Sequence, residues 1–591
     1  MNASTTDRRR QLRILDLIRS PVHTTNRIST HSRRCADHRM AAYPVRMQNA
    51  ATLTRLEKLR LVFTPAAATD KHRLLCLLVK TQLPSASAVR RLHEILCWIR
   101  AWPDDERVLI AADSGLRTFA GRKDLHRFRR QLADSGIAGT AIHYHFFWPM
   151  ARWLSSRWPA LLHFDRDCGE GEDWLCSAWP IALPSLQAEA AKRSEDAPFR
   201  ILDSLREAMT DASFFVQGID RTAGDTLARE TVHDLLQPAY VLEAGEDSPS
   251  RTRAQWSGAS ITFITAPLAQ GRSNLRKALQ RPPQAVTTAT PQNAAELLDL
   301  ARTAMVTRGR DFDTFSWGSA GDVHVVDDGN GLAFAFIGAI PERRLPLASA
   351  YGFLILRNGV PVGYGQVDAL LSGAEIAFNT FDTFRGGESA FLFARLLAAT
   401  RALLGSEAFS LEPYQLGHHN KEGIASGAWW FYYKLGFRPH DAGLKRIVTG
   451  ELARMARNPR HRSSSTTLGK LACKHLYWEP IRDSRAWLPL VPNLGMQLPI
   501  LSDDSAGEII GRRLGLSSLT GWSPAETLGL YRLAPLIAAL QGIESWTPAQ
   551  KKSAITVLRA KGAEHERDFV RHLNAHPKLS AAIKALLATQ R

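Results

Sequence analysis

The chain has 591 residues, 45% of them apolar, enough to bury several cores and to form three or four domains. Six cysteines in this length exclude a disulfide scaffold, and Cys35, Cys76, Cys97, Cys168, Cys176 and Cys473 show no Cys-x-x-Cys pair with which to build a zinc site. No apolar run reaches the length of a membrane-spanning helix, while the formal charge of +18 favours anionic partners, either nucleic acid or an anionic small molecule.

Residues 1–46 hold ten Arg, no Lys and three acidic residues, without the apolar stretch of a secretory signal. The composition superficially resembles an organelle transit peptide. The preferred reading is a disordered or spurious extension, with a start at Met40 or Met47. Thiols without partners then fit a reducing cytoplasm.

Residues 47–242 read as a mostly helical domain. Leu92, Ile95, Leu96 and Ile99 form an i, i+3, i+4, i+7 stripe, and Pro103-Asp104-Asp105 stops that helix and starts the next. Lys123–Leu132 reads as a basic amphipathic segment. Ile142–Leu154 is the densest aromatic run, readable as packed core, an interface or an acyl-chain pocket. His143 and His145 lie there without a neighbouring carboxylate or Cys in the sequence.

Residues 243–292 read as a linker with one candidate strand, Ser260–Thr265. In 293–450 a helix over Ala294–Thr307 precedes strands at Val323–Val326, Leu332–Ile337, Gly352–Arg357, Pro361–Val367, Glu375–Phe381 and Ala408–Pro413. Asn358-Gly359 marks a two-residue hairpin, since both positions tolerate positive φ. Residues 451–505 read as a basic extension. Residues 506–591 read as a helical module, with Ser523-Pro524 and Thr547-Pro548 as helix starts. The fold class is α+β and multidomain: a central mixed sheet flanked by helical regions.

Two motifs in the central region carry chemistry. The turn Arg385-Gly386-Gly387-Glu388-Ser389 lies between an apolar strand and an apolar helix, where backbone N–H groups suit a diphosphate. Further on, Asn420 precedes Trp429-Trp430-Phe431-Tyr432-Tyr433-Lys434-Leu435-Gly436-Phe437. In order and spacing this pattern resembles the GNAT N-acetyltransferase superfamily over about residues 294–439.

The resemblance implies acetyl-CoA or another acyl-CoA as co-substrate, an amine acceptor and no metal. It implies that Phe378, Asn379 and Thr380 line the thioester, with the N–H of Asn379 or Thr380 polarising its carbonyl. Arg385, Gly386, Gly387, Glu388 and Ser389 then hold the pyrophosphate, and Asn420 completes the cofactor site. Tyr432 becomes the proton donor to the leaving thiolate, or Tyr433 if the register slips by one. Glu388 departs from the glycine preferred by the family, and its carboxylate is expected to crowd and repel phosphate. Glu375, Glu412 and the His418-His419 pair are the candidate general bases.

Two other readings stand beside this one. The central region can be a non-catalytic scaffold, with the helical regions binding a protein partner. The positive charge also admits a transferase linked to tRNA or another nucleic acid, a reading not favoured here because the arginines are spread along the chain.

Overall fold

The computed structural model describes residues 42–590, apart from 169–170, 223, 225, 270 and 482–483. The expected extension at 1–46 therefore lies almost wholly outside the described residues.

Among the described residues, the N-terminal part begins with the helices Ala42–Leu59, Pro65–Lys80, Ala86–Ala101 and Glu106–Arg117. Ser85 starts the third, its hydroxyl accepting from Ala88 N at 3.2 Å, and Asp105 caps the fourth through Arg107 N and Val108 N. The predicted stripe on Ala86–Ala101 is buried throughout. The basic segment is helical only over Lys123–Phe128, and the aromatic run splits at Phe147 into a short strand and a helix, Trp148–Arg157. Phe146, Trp148 and Trp179 are core residues. The region is not helical alone. β1 (Ile142–Tyr144), β2 (Leu162–Phe164) and β3 (Tyr240–Leu242) form an antiparallel sheet in the order β1-β3-β2. Strands of three residues are too short to display a period, and β3 lies far along the chain from its partners.

The central sheet has eight strands: β4 (Ala285–Thr288), β5 (Gly318–Gly329), β6 (Leu332–Ala339), β7 (Ser349–Arg357), β8 (Val360–Leu370), β9 (Gly373–Thr380), β10 (Ala408–Leu411) and β11 (Leu476–Trp478). They are ordered β11-β10-β9-β8-β7-β6-β5-β4, and every neighbouring pair is antiparallel except β9 and β10. Asn358 and Gly359 turn the β7–β8 hairpin with φ of 49° and 78°, the positive pair that a tight hairpin needs. A parallel pair needs a crossover, supplied by the helix Ser389–Leu404, which stops at Gly405 with φ 73°.

Helices cover both faces of the sheet. Thr314 and Phe315, just after the helix Pro291–Val306, meet Gln366 and Gly352 on one face. Phe393, in the helix Ser389–Leu404, packs on Phe378 of the other.

Three stretches expected to be irregular or extended are built otherwise. Ser260–Thr265 forms no strand; the Asn358 side chain takes Thr262 N (2.8 Å) and Thr262 O (3.2 Å), and Pro103 O takes Ile264 N (2.7 Å). These partners satisfy its backbone in place of a ladder. The stretch read as a linker contains β4, paired with β5. The basic extension contains the helix Ser465–Ala472 and then β11, the edge strand on β10. The C-terminal helices Asp503–Leu514, Pro524–Ala539, Pro548–Ala560, Arg567–Ala575 and Pro577–Ala588 pack a second core that also takes in Leu347, Leu370 and Leu371 from the central region. Ser523 and Thr547 form capping boxes with Glu526 and Gln550. Among the described residues, no helix is long and apolar enough to cross a membrane.

Candidate functional site

β9 and β10 pair only at Gly373–Ala408, Ala374–Phe409 and Glu375–Ser410. Past that point they part, and β10 runs into the short helix Pro413–Leu416. Backbone groups alternate along a strand, so those of Ala377 and Asn379 face β8 and those of Phe378 and Thr380 face the gap. The close approach of Asn379 O to Gly363 agrees with this. The expected oxyanion role of the Asn379 N–H is therefore corrected: that group belongs to the β8 ladder, and the gap receives Phe378 and Thr380.

The gap is bridged from within. Gln415, which sequence reasoning missed, accepts from Phe378 N (3.3 Å) and donates to Phe378 O (2.8 Å) and to the Tyr432 hydroxyl (2.7 Å). A side-chain amide thus occupies both hydrogen-bonding positions of one residue on the open strand edge. Thr380 Oγ1, two residues on, is buried with no hydrogen-bond partner among the described residues, and Arg385 donates to Thr380 O at 3.4 Å.

The glycine turn leads into the helix Ser389–Leu404. Among the described residues, no hydrogen bond engages the N–H groups of Gly386 to Phe391, and this end of the helix reaches solvent at Gly386, Gly387, Ser389 and Ala390. Gly386 has φ 82° and open space where a Cβ would stand. Glu388 does not project into that space. It is 5% exposed and pairs with Arg357 (2.7 Å), Trp102 Nε1 (3.0 Å) and Ala269 N (3.3 Å). The expectation of crowding and repulsion is therefore corrected, because Arg357 balances the charge and the N-terminal domain holds the carboxylate. Trp98 and Trp102 stack at 4.4 Å, with Trp98 against Gly387. Arg385 stays half exposed, in ion pairs with Asp382 and Glu422.

Tyr432 belongs to the helix Ala428–Leu435, closed by Gly436 with φ 114°. It is buried against Phe393, ring centres 5.2 Å apart, and with the Phe393–Phe431 contact at 6.3 Å this joins the glycine-turn helix to the tyrosine helix. Burial pushes the phenol well above its ordinary pKa and keeps it protonated. Tyr433 stacks instead on Trp429 and under Arg438. Asn420 does not face the gap: it caps the helix Lys421–Ser426 through Gly423 N (3.0 Å) and donates to Tyr414 O (3.2 Å).

On the opposite face, Glu375 lies beside Asp368 in register and accepts from Ser410 (2.9 Å), with His475 at 3.2 Å. Glu412 is close enough to feel both carboxylates. Burial first, then Glu375 and Asp368, push Glu412 up to about 8. Burial and Glu375 likewise push Asp368 up to about 7, against a hydrogen bond from Gln366. The two predicted carboxylates are thus brought together. Asp368 and His475 were missed, since nothing local distinguishes one acidic strand residue from another. His418 and His419 contact each other at 4.1 Å on a partly exposed loop, and burial and His419 lower the His418 pKa.

His143 does have a carboxylate, Asp134 at 3.0 Å, in a surface pair. Asp322, His324 and His565 are the one metal-competent grouping among the described residues. Asp322 there accepts from His324 (2.9 Å), Tyr351 (2.9 Å) and Glu566 N (2.9 Å), joining sheet to C-terminal module. Comparison with protein-family models, with curated proteins and with solved structures finds no match to this chain.

Proposed function

We propose that the chain is a GNAT-like N-acyltransferase that moves an acetyl or longer acyl group from a CoA thioester to an amine. The observation carrying this reading is the parting of a parallel strand pair next to a solvent-facing helix N-terminus, with a buried phenol beside the gap. A thioester arm with amides can replace Gln415 on Phe378, and the N–H groups of Gly386 to Phe391 suit its diphosphate. The carboxylates of Asp368, Glu375 and Glu412 favour a cationic acceptor amine on the other face of the sheet.

The chemistry is then direct. Glu412, or Glu375 with His475, removes a proton from the ammonium, and the amine attacks the thioester carbonyl. The Phe378 or Thr380 N–H stabilises the oxyanion. As the C–S bond breaks, Tyr432 protonates the thiolate, and the surplus proton on the newly acylated nitrogen restores the phenol. A carboxylate with a pKa of about 8 has shed its own proton, and so can take one from an amine, once the pH reaches that value.

The scaffold reading has one observation in its favour, namely that Gln415 already fills the strand edge. Calorimetry with acetyl-CoA separates the two. Saturable heat that weakens in Arg385→Ala supports the transferase. No heat with acetyl-CoA or with longer acyl-CoA thioesters supports the scaffold.

A further inference from the structure

A second site lies at the other end of the sheet. Trp478, the last residue of β11, is in register with Phe409, near the start of β10, whereas the gap opens beyond the end of the β9–β10 ladder. Past Trp478 the chain borders an open cavity of about 590 Å³, lined on its other sides by the end of the tyrosine helix and by the start of the helix Leu275–Gln280.

Four cations line it: Arg272, Arg276, Lys434 and Arg438. Other arginines of this chain, such as Arg166 and Arg395, are matched by carboxylates at 2.5–2.9 Å. None of these four has an ion-pair partner among the described residues. The single carboxylate among the described lining residues, Glu479, is already engaged by His440 (3.1 Å) and by Ala486 N (3.1 Å). Two of the cations are held in place by groups that leave their charge unbalanced. Arg438 donates to Tyr433 O (2.7 Å) and Phe437 O (2.8 Å) while lying over the Tyr433 ring, and Arg276 reaches Pro480 O at 3.4 Å. His440 lies flat on Tyr477, 3.9 Å apart and 6° from parallel, and gives the cavity a planar wall.

Four like charges around one concavity repel each other, and the one Glu479 carboxylate and a few backbone carbonyls offset that repulsion only in part. A ligand bearing several negative charges relieves it, and guanidinium groups match phosphate oxygens two at a time. The volume is that of a small-molecule site. We propose that this cavity binds a small phosphate-bearing anion with two or more negative charges, held by Arg276, Lys434 and Arg438. The site is independent of the proposed transferase site and stands whether or not that reading holds.

The test is calorimetry on the full chain with inorganic pyrophosphate and with ADP, at about 150 mM salt so that diffuse attraction is screened. Both probes are expected to bind, and the double variant Lys434→Gln/Arg276→Gln to lose affinity by at least ~10-fold, the loss of roughly two charge-assisted contacts. The exposed Arg512→Gln control is expected to match the parent. Tighter binding of ADP than pyrophosphate, reversed by His440→Ala, identifies a nucleotide; equal binding identifies the phosphate alone. No heat with either probe, or equal affinity in the double variant and the control, overturns the proposal. Displacement of pyrophosphate by a single-stranded oligonucleotide with a steep salt dependence overturns the small-molecule assignment. A parallel loss of acetyl-CoA affinity in the double variant overturns the independence of the two sites.

Discussion

Glu388 offers the sharpest test of how the helical N-terminal domain and the central sheet are joined. Its carboxylate and the Arg357 guanidinium are each about 5% exposed and 2.7 Å apart. Arg357→Met leaves that carboxylate buried beside only Trp102 Nε1 and Ala269 N. Breaking a buried pair in this way costs roughly 3–5 kcal/mol. The substitution also removes the Arg357 bond to Asn330 O (2.8 Å), worth about 1 kcal/mol. Glu388→Gln keeps an acceptor for Trp102 but strands the guanidinium, at roughly 3 kcal/mol. The double variant removes both charges, so its loss is expected near that of one single variant, a coupling of about 3 kcal/mol. The assay is urea unfolding read by tryptophan fluorescence, because Trp98 and Trp102 stack beside the pair. Losses that add without coupling, or an Arg357→Met loss under about 1 kcal/mol, refute the reasoning.

Four further outcomes are expected. Tyr432→Phe lowers turnover by about 10²-fold or more, with acyl-CoA affinity kept within about threefold; unchanged turnover removes the acid role. Gln415→Ala frees both backbone groups of Phe378 and tightens acetyl-CoA binding by about tenfold in calorimetry, the worth of one to two net hydrogen bonds. Glu412 keeps its proton in the folded chain up to about 8 but loses it from 4.5 when unfolded, so this group lowers stability as pH rises across that window. Glu412→Gln should therefore melt higher than the parent at pH about 8.5 and near it at about 4.5, read by thermal scans. Thr547→Ala breaks a capping box and costs about 1 kcal/mol in the C-terminal module, measured by its denaturation midpoint.

Local physics was legible in the residues. Asn358-Gly359 takes the positive φ pair because few other residues tolerate it, Ser523 and Thr547 start helices where the proline after each indicates, and six central strands lie where alternation and apolar runs place them. Each of those signals is spent within a few residues. What the tertiary structure alone decided involves partners remote in the chain: Glu388 finding Arg357 and Trp102, Gln415 reaching back to Phe378, β11 closing the sheet edge, and Asp368 meeting Glu375 and Glu412. Which charge a buried carboxylate meets, and which amide fills an open strand edge, depend on elements brought side by side only when the chain is folded. No periodicity or spacing in the sequence encodes that meeting.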